Sequence, residues 1–122
     1  MARSFNVIVN KDVSEAGENL SALRVVKKAP DGKVYLCDSS DQNDYNKAIG
    51  ITTIASSIGD KIEYILWGEL SDLTWSWNVN EPIYFDSQGK LTQTPGSVLY
   101  QEIAIAQTTT NIFVKILDSI KR

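Results

Sequence analysis

Apolar and polar residues alternate with a period of two along most of this chain, the spacing of strands that turn one face inward. Phe5, Val7 and Val9 alternate with Ser4, Asn6 and Ile8, which predicts a short strand or extended arm. A polar connector follows at 14–19, where Gly17 ends any helical turn begun at Asp12 or Ser14. Leu23-Arg24-Val25-Val26-Lys27 and Lys33-Val34-Tyr35-Leu36-Cys37 flank Pro30-Asp31-Gly32. Asp-Gly between two β-prone runs is a strong hairpin signal, because glycine takes positive φ without steric cost. The polar stretch 38–46 predicts a loop with room for a short helical turn. Residues 48–54 then predict a strand whose Gly50 marks a bulge or a close approach.

Ser56-Ser57-Ile58-Gly59-Asp60 turns the chain into residues 61–67, which put Ile62, Tyr64 and Leu66 on one face. Residues 68–72 break the pattern, and Leu73-Thr74-Trp75-Ser76-Trp77-Asn78-Val79 alternates again. Pro82-Ile83-Tyr84-Phe85 and Lys90-Leu91-Thr92-Gln93 flank a second hairpin signal at Asp86-Ser87-Gln88-Gly89. A longer strand is expected over 98–106, a turn over 107–111 and a last strand over 112–117. Turns at this spacing, with no competing helical period, predict an all-β fold: an antiparallel β-barrel or sandwich. Residues 1–14 are expected as an N-terminal arm or edge strand and 15–122 as a single β domain.

The two halves echo each other. Val25-Val26, a turn with Gly32-Lys33 and a short strand lead to Ala48-Ile49-Gly50-Ile51-Thr52, and Ile62 to Leu66 closes the first. Ile83-Tyr84, a turn with Gly89-Lys90 and a short strand lead to Glu102-Ile103-Ala104-Ile105-Ala106, and Phe113 to Leu117 closes the second. One reading is a duplicated unit; the other is the hairpin spacing of any all-β chain. The arm at Phe5–Val9 has no partner in this echo.

Composition narrows the function. At 122 residues with 43% hydrophobic and 22% charged residues, the chain is an ordinary globular domain that needs neither disulfide nor metal to fold. Its net charge is −3 and no basic stripe is present beyond Lys27-Lys28, which disfavours nucleic-acid binding. No stretch reaches the ~20 apolar residues of a membrane helix, and no targeting segment is visible, so synthesis as a complete chain in the cytoplasm is expected.

The chain has no histidine, which removes the usual nitrogen ligand of zinc, copper and haem sites and the Ser-His and Cys-His catalytic pairs. Cys37 lies in an apolar run and precedes Asp38, a setting that opposes thiolate formation. Asp38, Asp41 and Asp44 with Asn43 form the densest acidic cluster, but the loop lacks the glycine and glutamate of an EF-hand, so a solvated loop is expected. Glu63 with Glu69 or Asp60 is the nearest thing to a glycosidase pair, and wet-face charges are the commoner reading. No phosphate-cradling glycine loop exists. The expectation is a protein with no enzyme activity, no cofactor and no metal.

The opening run Glu15-Ala16-Gly17-Glu18-Asn19-Leu20-Ser21-Ala22-Leu23-Arg24-Val25-Val26, with Pro30-Asp31-Gly32-Lys33-Val34-Tyr35-Leu36 and Ala48-Ile49-Gly50-Ile51 after it, resembles a recurrent opening in the small β-rich virion structural proteins of tailed bacteriophages. Pro82-Ile83-Tyr84-Phe85-Asp86, Gly89-Lys90-Leu91-Thr92-Gln93-Thr94-Pro95 and Gln101-Glu102-Ile103-Ala104-Ile105-Ala106-Gln107 resemble the family's second half. Such proteins occur as capsid decoration or head-fibre proteins and as tail-fibre or baseplate domains. The resemblance implies a virion location and a homo-oligomer, with a trimer expected, bound to the major capsid protein or another virion component. The alternative is a tail-fibre or baseplate module that binds a host receptor or glycan.

The likeness does not extend to Trp75-Ser76-Trp77 or to residues 1–14, which makes both candidates for what the protein attaches to. Trp75 and Trp77, two apart, share a face if they lie on a strand, and Trp67 ends the preceding one. Core packing, a subunit interface and a sugar-stacking platform are all open for them. Phe5, Val7 and Val9 complete the candidate interface, either on a neighbour's sheet edge or on the edge of their own sheet.

Overall fold

A computed structural model describes residues 10–116 and the backbone of 119–121. Its elements are β1 (Asn10–Glu15), β2 (Val25–Lys28), β3 (Val34–Leu36), one 3-10 turn (Gln42–Asp44), β4 (Gly50–Thr52) and β5 (Lys61–Ser71). They continue with β6 (Pro82–Phe85), β7 (Leu91–Thr92), β8 (Leu99–Gln101), β9 (Ala104–Ala106), β10 (Asn111–Lys115) and β11 (Ser119–Lys121). The strands pair antiparallel, as the period-two pattern predicts, and the main sheet curls into half a barrel. The turn expected within 38–46 is the 3-10 turn, capped by the Asp41 side chain, which accepts from the Asn43 amide.

The order β3-β2-β4-β5-β10-β9-β6-β7 reads the same from either end once the halves are matched. Registers match too. Lys28 pairs with Val34 in the first hairpin as Phe85 pairs with Leu91 in the second. Val26 sits opposite Gly50 as Ile83 sits opposite Ala104. Ile51 faces Ile65 as Ile105 faces Phe113. The hairpin glycines, Gly32 and Gly89, both take positive φ, +82° and +69°. The echo in the sequence is a duplicated unit, with one correction: Phe113 corresponds to Ile65 and not to Ile62.

The unit is also larger than the sequence echo. β1, which overlaps the expected N-terminal arm or edge strand but lies beyond the alternating run Phe5–Val9, pairs Lys11 with Ile65 and Asp12 with Tyr64. The end of β5 pairs in the same way with β10, Glu69 with Phe113 and Leu70 with Ile112. Each unit is therefore a sheet of matched order, β1-β5-β4-β2-β3 and β5-β10-β9-β6-β7, and β5 belongs to both. Its first half closes the first unit and its second half opens the next. The changeover is visible in the backbone: the β1 register skips Leu66, and Gly68 takes φ +123°. That φ suits glycine and strains a residue with a Cβ.

The first unit wraps back on itself. Beyond β1, Ala16 bridges Val34 in parallel, the Gly17 amide donates to the Val34 carbonyl at 2.8 Å, and Glu18 accepts from the Leu36 amide at 2.8 Å. Its interior holds Ala16, Leu20, Val26, Val34, Ile62 and Tyr64, with Leu66 against them, so the predicted face Ile62–Tyr64–Leu66 points there. Gly50 lies under this layer by close approach: a Cβ there would meet the Ile65 carbonyl oxygen at 2.7 Å and the Tyr64 ring at 2.8 Å.

The second, larger core lies between the units. Val25, Ile51 and Ile65 are register partners across β2, β4 and β5, forming one row on the outer face of the first unit. That row joins Ile83, Phe85, Ala104, Ala106, Ile112 and Val114 from the inner face of the second. The units thus stack outer face to inner face. The Val25 amide fastens the seam, donating to the Gly89 carbonyl at 2.7 Å. Small residues at Ala104 and Ala106 leave room for the incoming row, as dense packing requires.

Candidate interaction face

The same row exists in the second unit, and among the described residues no second sheet packs over it. Pro82, Ile105, Phe113 and Glu69 are successive register partners across β6, β9, β10 and β5, the counterparts of Val25, Ile51, Ile65 and Lys11. In the first unit the three apolar members are fully buried; in the second, Pro82, Ile105 and Phe113 are half-buried. Trp67 lies beside them at 44% exposure, its ring edge-on to Phe113 with centroids 5.2 Å apart and planes at 89°. Such a geometry suits the opposed charge distributions of ring face and ring edge. Trp67 pairs with Asn10 on one side and Lys115 on the other, and Glu69 receives a long 3.4 Å hydrogen bond from Asn111 Nδ2.

The three tryptophans do not share one face. Residues 75–77 lie outside any strand, contrary to the alternation that predicts one there. The Trp75 amide donates to the Asp72 carbonyl at 3.1 Å and the Trp77 amide to the Thr109 carbonyl at 2.9 Å, so these bonds shape a loop rather than a ladder. The two rings are 5.5 Å apart and both are half-buried against the core between the units. Trp77 Nε1 is buried without an acceptor among the described residues. Phe5, Val7 and Val9 lie outside the described residues. The sequence reading missed Phe113, Ile105 and Pro82; the available signal was a bulky Ile105 between two alanines, which inverts the usual large-in, small-out pattern.

The acidic loop is tied to turns and to a lysine. Asp38 Oδ1 accepts from the Ser40 amide and hydroxyl, and Asp41 caps the 3-10 turn. Asp44, 1% exposed, accepts from Lys27 Nζ and, at 2.8 Å, from the Asp38 amide. Burial pulls the Lys27 pKa down, but the hydrogen bond and charge of Asp44 outweigh it and hold the ammonium above its ordinary 10.5. A groove of about 260 Å³ runs beside this pair, lined by Lys27, Lys28, Lys47, Asp41 and Asp44 among others. No group of three His, Cys, Asp or Glu side chains is placed to hold a metal ion among the described residues.

Cys37 is fully buried, and burial together with the Asp44 charge pushes its thiol pKa far up, the setting of an inert thiol. Glu63 accepts from the Thr53 hydroxyl at 2.6 Å and lies 3.8 Å from Lys11 Nζ, while Glu69 is on the outer face beside Phe113. Among the described residues, no helix is long and apolar enough to cross a membrane.

No model of a known protein family matches the chain, and no curated protein matches it.

Proposed function

We propose that this protein is a structural component of a tailed-phage virion, of the capsid decoration or head-fibre type. It binds the particle and either stabilises it or presents a surface outside it. The observation that carries this reading is the half-exposed row on the second unit, a face suited to protein contacts within an assembly, those between copies of the chain included. A sheet framework built twice from one plan keeps a half-exposed apolar face whose counterpart in the first unit is packed against protein. Contiguous apolar surface of this kind on a folded domain marks a contact site. The segments that resemble virion proteins of tailed phages, at 30–36, 82–86 and 89–95, fall on the two hairpins that frame the duplicated units.

The reading is tested by sedimenting the purified protein with phage heads that lack it, and separately with isolated tails. Saturable binding to heads at a fixed copy number is expected. Protein that stays in the supernatant with both fractions overturns the virion role. A tail-fibre or baseplate module that binds glycan is the second reading. It is favoured by the adjacent Trp75 and Trp77 rings, which pack against the core yet keep part of their surface exposed on a loop outside the sheet. In that case soluble host glycans quench the tryptophan fluorescence and tails, not heads, retain the protein.

A further inference from the structure

On the outer face of the second unit, four side chains form a two-by-two block on adjacent strands. Trp67 and Glu69 stand on β5, with Lys115 opposite Trp67 and Phe113 opposite Glu69 on β10. Register partners lie on the same side of a sheet, about 5 Å apart. One diagonal of the block is therefore aromatic, Trp67 with Phe113, and the other is ionic, Glu69 with Lys115. Neither Glu69 nor Lys115 has an ion-pair partner among the described residues. Ile105 and Pro82 extend the apolar part along the same row.

We propose that this face binds a second copy of the chain about a two-fold axis lying along the Trp67–Phe113 diagonal. A two-fold contact requires a patch that is complementary to itself. Rotation about the aromatic diagonal lays each ring on its own counterpart and brings Glu69 of each copy over Lys115 of the other. Two charge pairs then flank an apolar centre, the arrangement of buried anchors with a polar rim. The fold shows that an outer row of this kind can be covered by protein, since that of the first unit is packed against the inner face of the second. A foreign partner would have no reason to find one cation and one anion set symmetrically about the rings.

Association of the full chain is measured by sedimentation equilibrium at low ionic strength over a wide concentration range. The wild type is expected to form a dimer, and Trp67→Ala to weaken it by at least about ten-fold. Glu69→Lys alone and Lys115→Glu alone each place like charges together and weaken self-association. Mixing those two single variants restores it as a heterodimer, and combining both changes in one chain restores the homodimer. Rescue on mixing is a result that a merely structural role for these residues would not give. A wild-type monomer across the range overturns the proposal. So does a mass of three copies, a dimer insensitive to Trp67→Ala, or charge variants that fail to rescue each other. Binding to phage heads plays no part in these outcomes, so this test and the test of the virion role fail independently.

Discussion

Asp44 is nearly inaccessible to solvent, and its two oxygens serve different masters: one holds the Lys27 ammonium, the other the Asp38 amide. Removing the carboxylate leaves both donors stranded, and Asp44→Ala should cost about 2–3 kcal/mol in a urea titration. The Lys27 pKa is raised on folding, so the contribution of the pair is fully present below the unfolded-state value of 10.5 and is lost as pH rises through the folded-state value. Stability should therefore fall above about pH 10.5, and Lys27→Met should flatten that part of the profile. Denaturant midpoints taken between pH 8 and 12 provide the check. Cys37 offers a second residue-level outcome: a disulfide reagent should not label the native protein, and labelling should appear with the unfolding transition. Rapid labelling in buffer would show that the thiol is not sealed. The sequence signalled the inert thiol through its apolar run, but the Lys27–Asp44 pair was hidden because sixteen residues of hairpin and loop separate two side chains that meet only where the loop from β3 to β4 crosses β2, the strand between them.

Strand type was easy to read and strand membership was not. Alternation located β2, β3, β6, β7 and β10, and Gly50 was rightly marked as a point of close approach, because those features are local. β1 falls within the segment expected as an N-terminal arm or edge strand, but alternation did not mark its bounds, since Val13 is its one apolar residue and it is held by an edge of β5. Residues 73–79 show the reverse error. Their alternation is real, yet Trp75 and Trp77 point inward from a loop whose backbone bonds go to Asp72 and Thr109. A period of two reports which side chains turn inward, and a loop lying on a core produces it as well as a strand does. The expected strand over 98–106 is likewise two short ones, β8 and β9, interrupted at Glu102 and Ile103. The Ile103 amide there donates to the Ile83 carbonyl, and the Ile103 carbonyl accepts from the Lys115 amide. At the middle of β5, Gly68→Ala places a Cβ at φ +123°. A loss of about 1–2 kcal/mol is expected by thermal or urea unfolding. A neutral result would mean that the changeover between units is not strained.

The largest apolar cluster belongs to neither unit alone, for it joins Val25, Ile51 and Ile65 to Ile83, Ile112 and Val114. Neither half can keep its outer or inner row dry without the other, so the molecule should unfold in one step. Tryptophan emission reports on the second unit and the seam, far-ultraviolet circular dichroism on all strands, and their urea transitions should coincide. Separate midpoints would show that the units melt independently. The duplicated plan was legible from hairpins and the I-G/A-I strands. Its true period was not, because the pattern breaks at 68–72, where β5 in fact runs on to Ser71 and, having closed the first unit, opens the second. That economy sets a rule for how such an architecture can be extended. Each additional module would borrow the closing strand of its predecessor, so lengthening the protein would proceed by four new strands at a time, and no scission point exists that would release two intact modules.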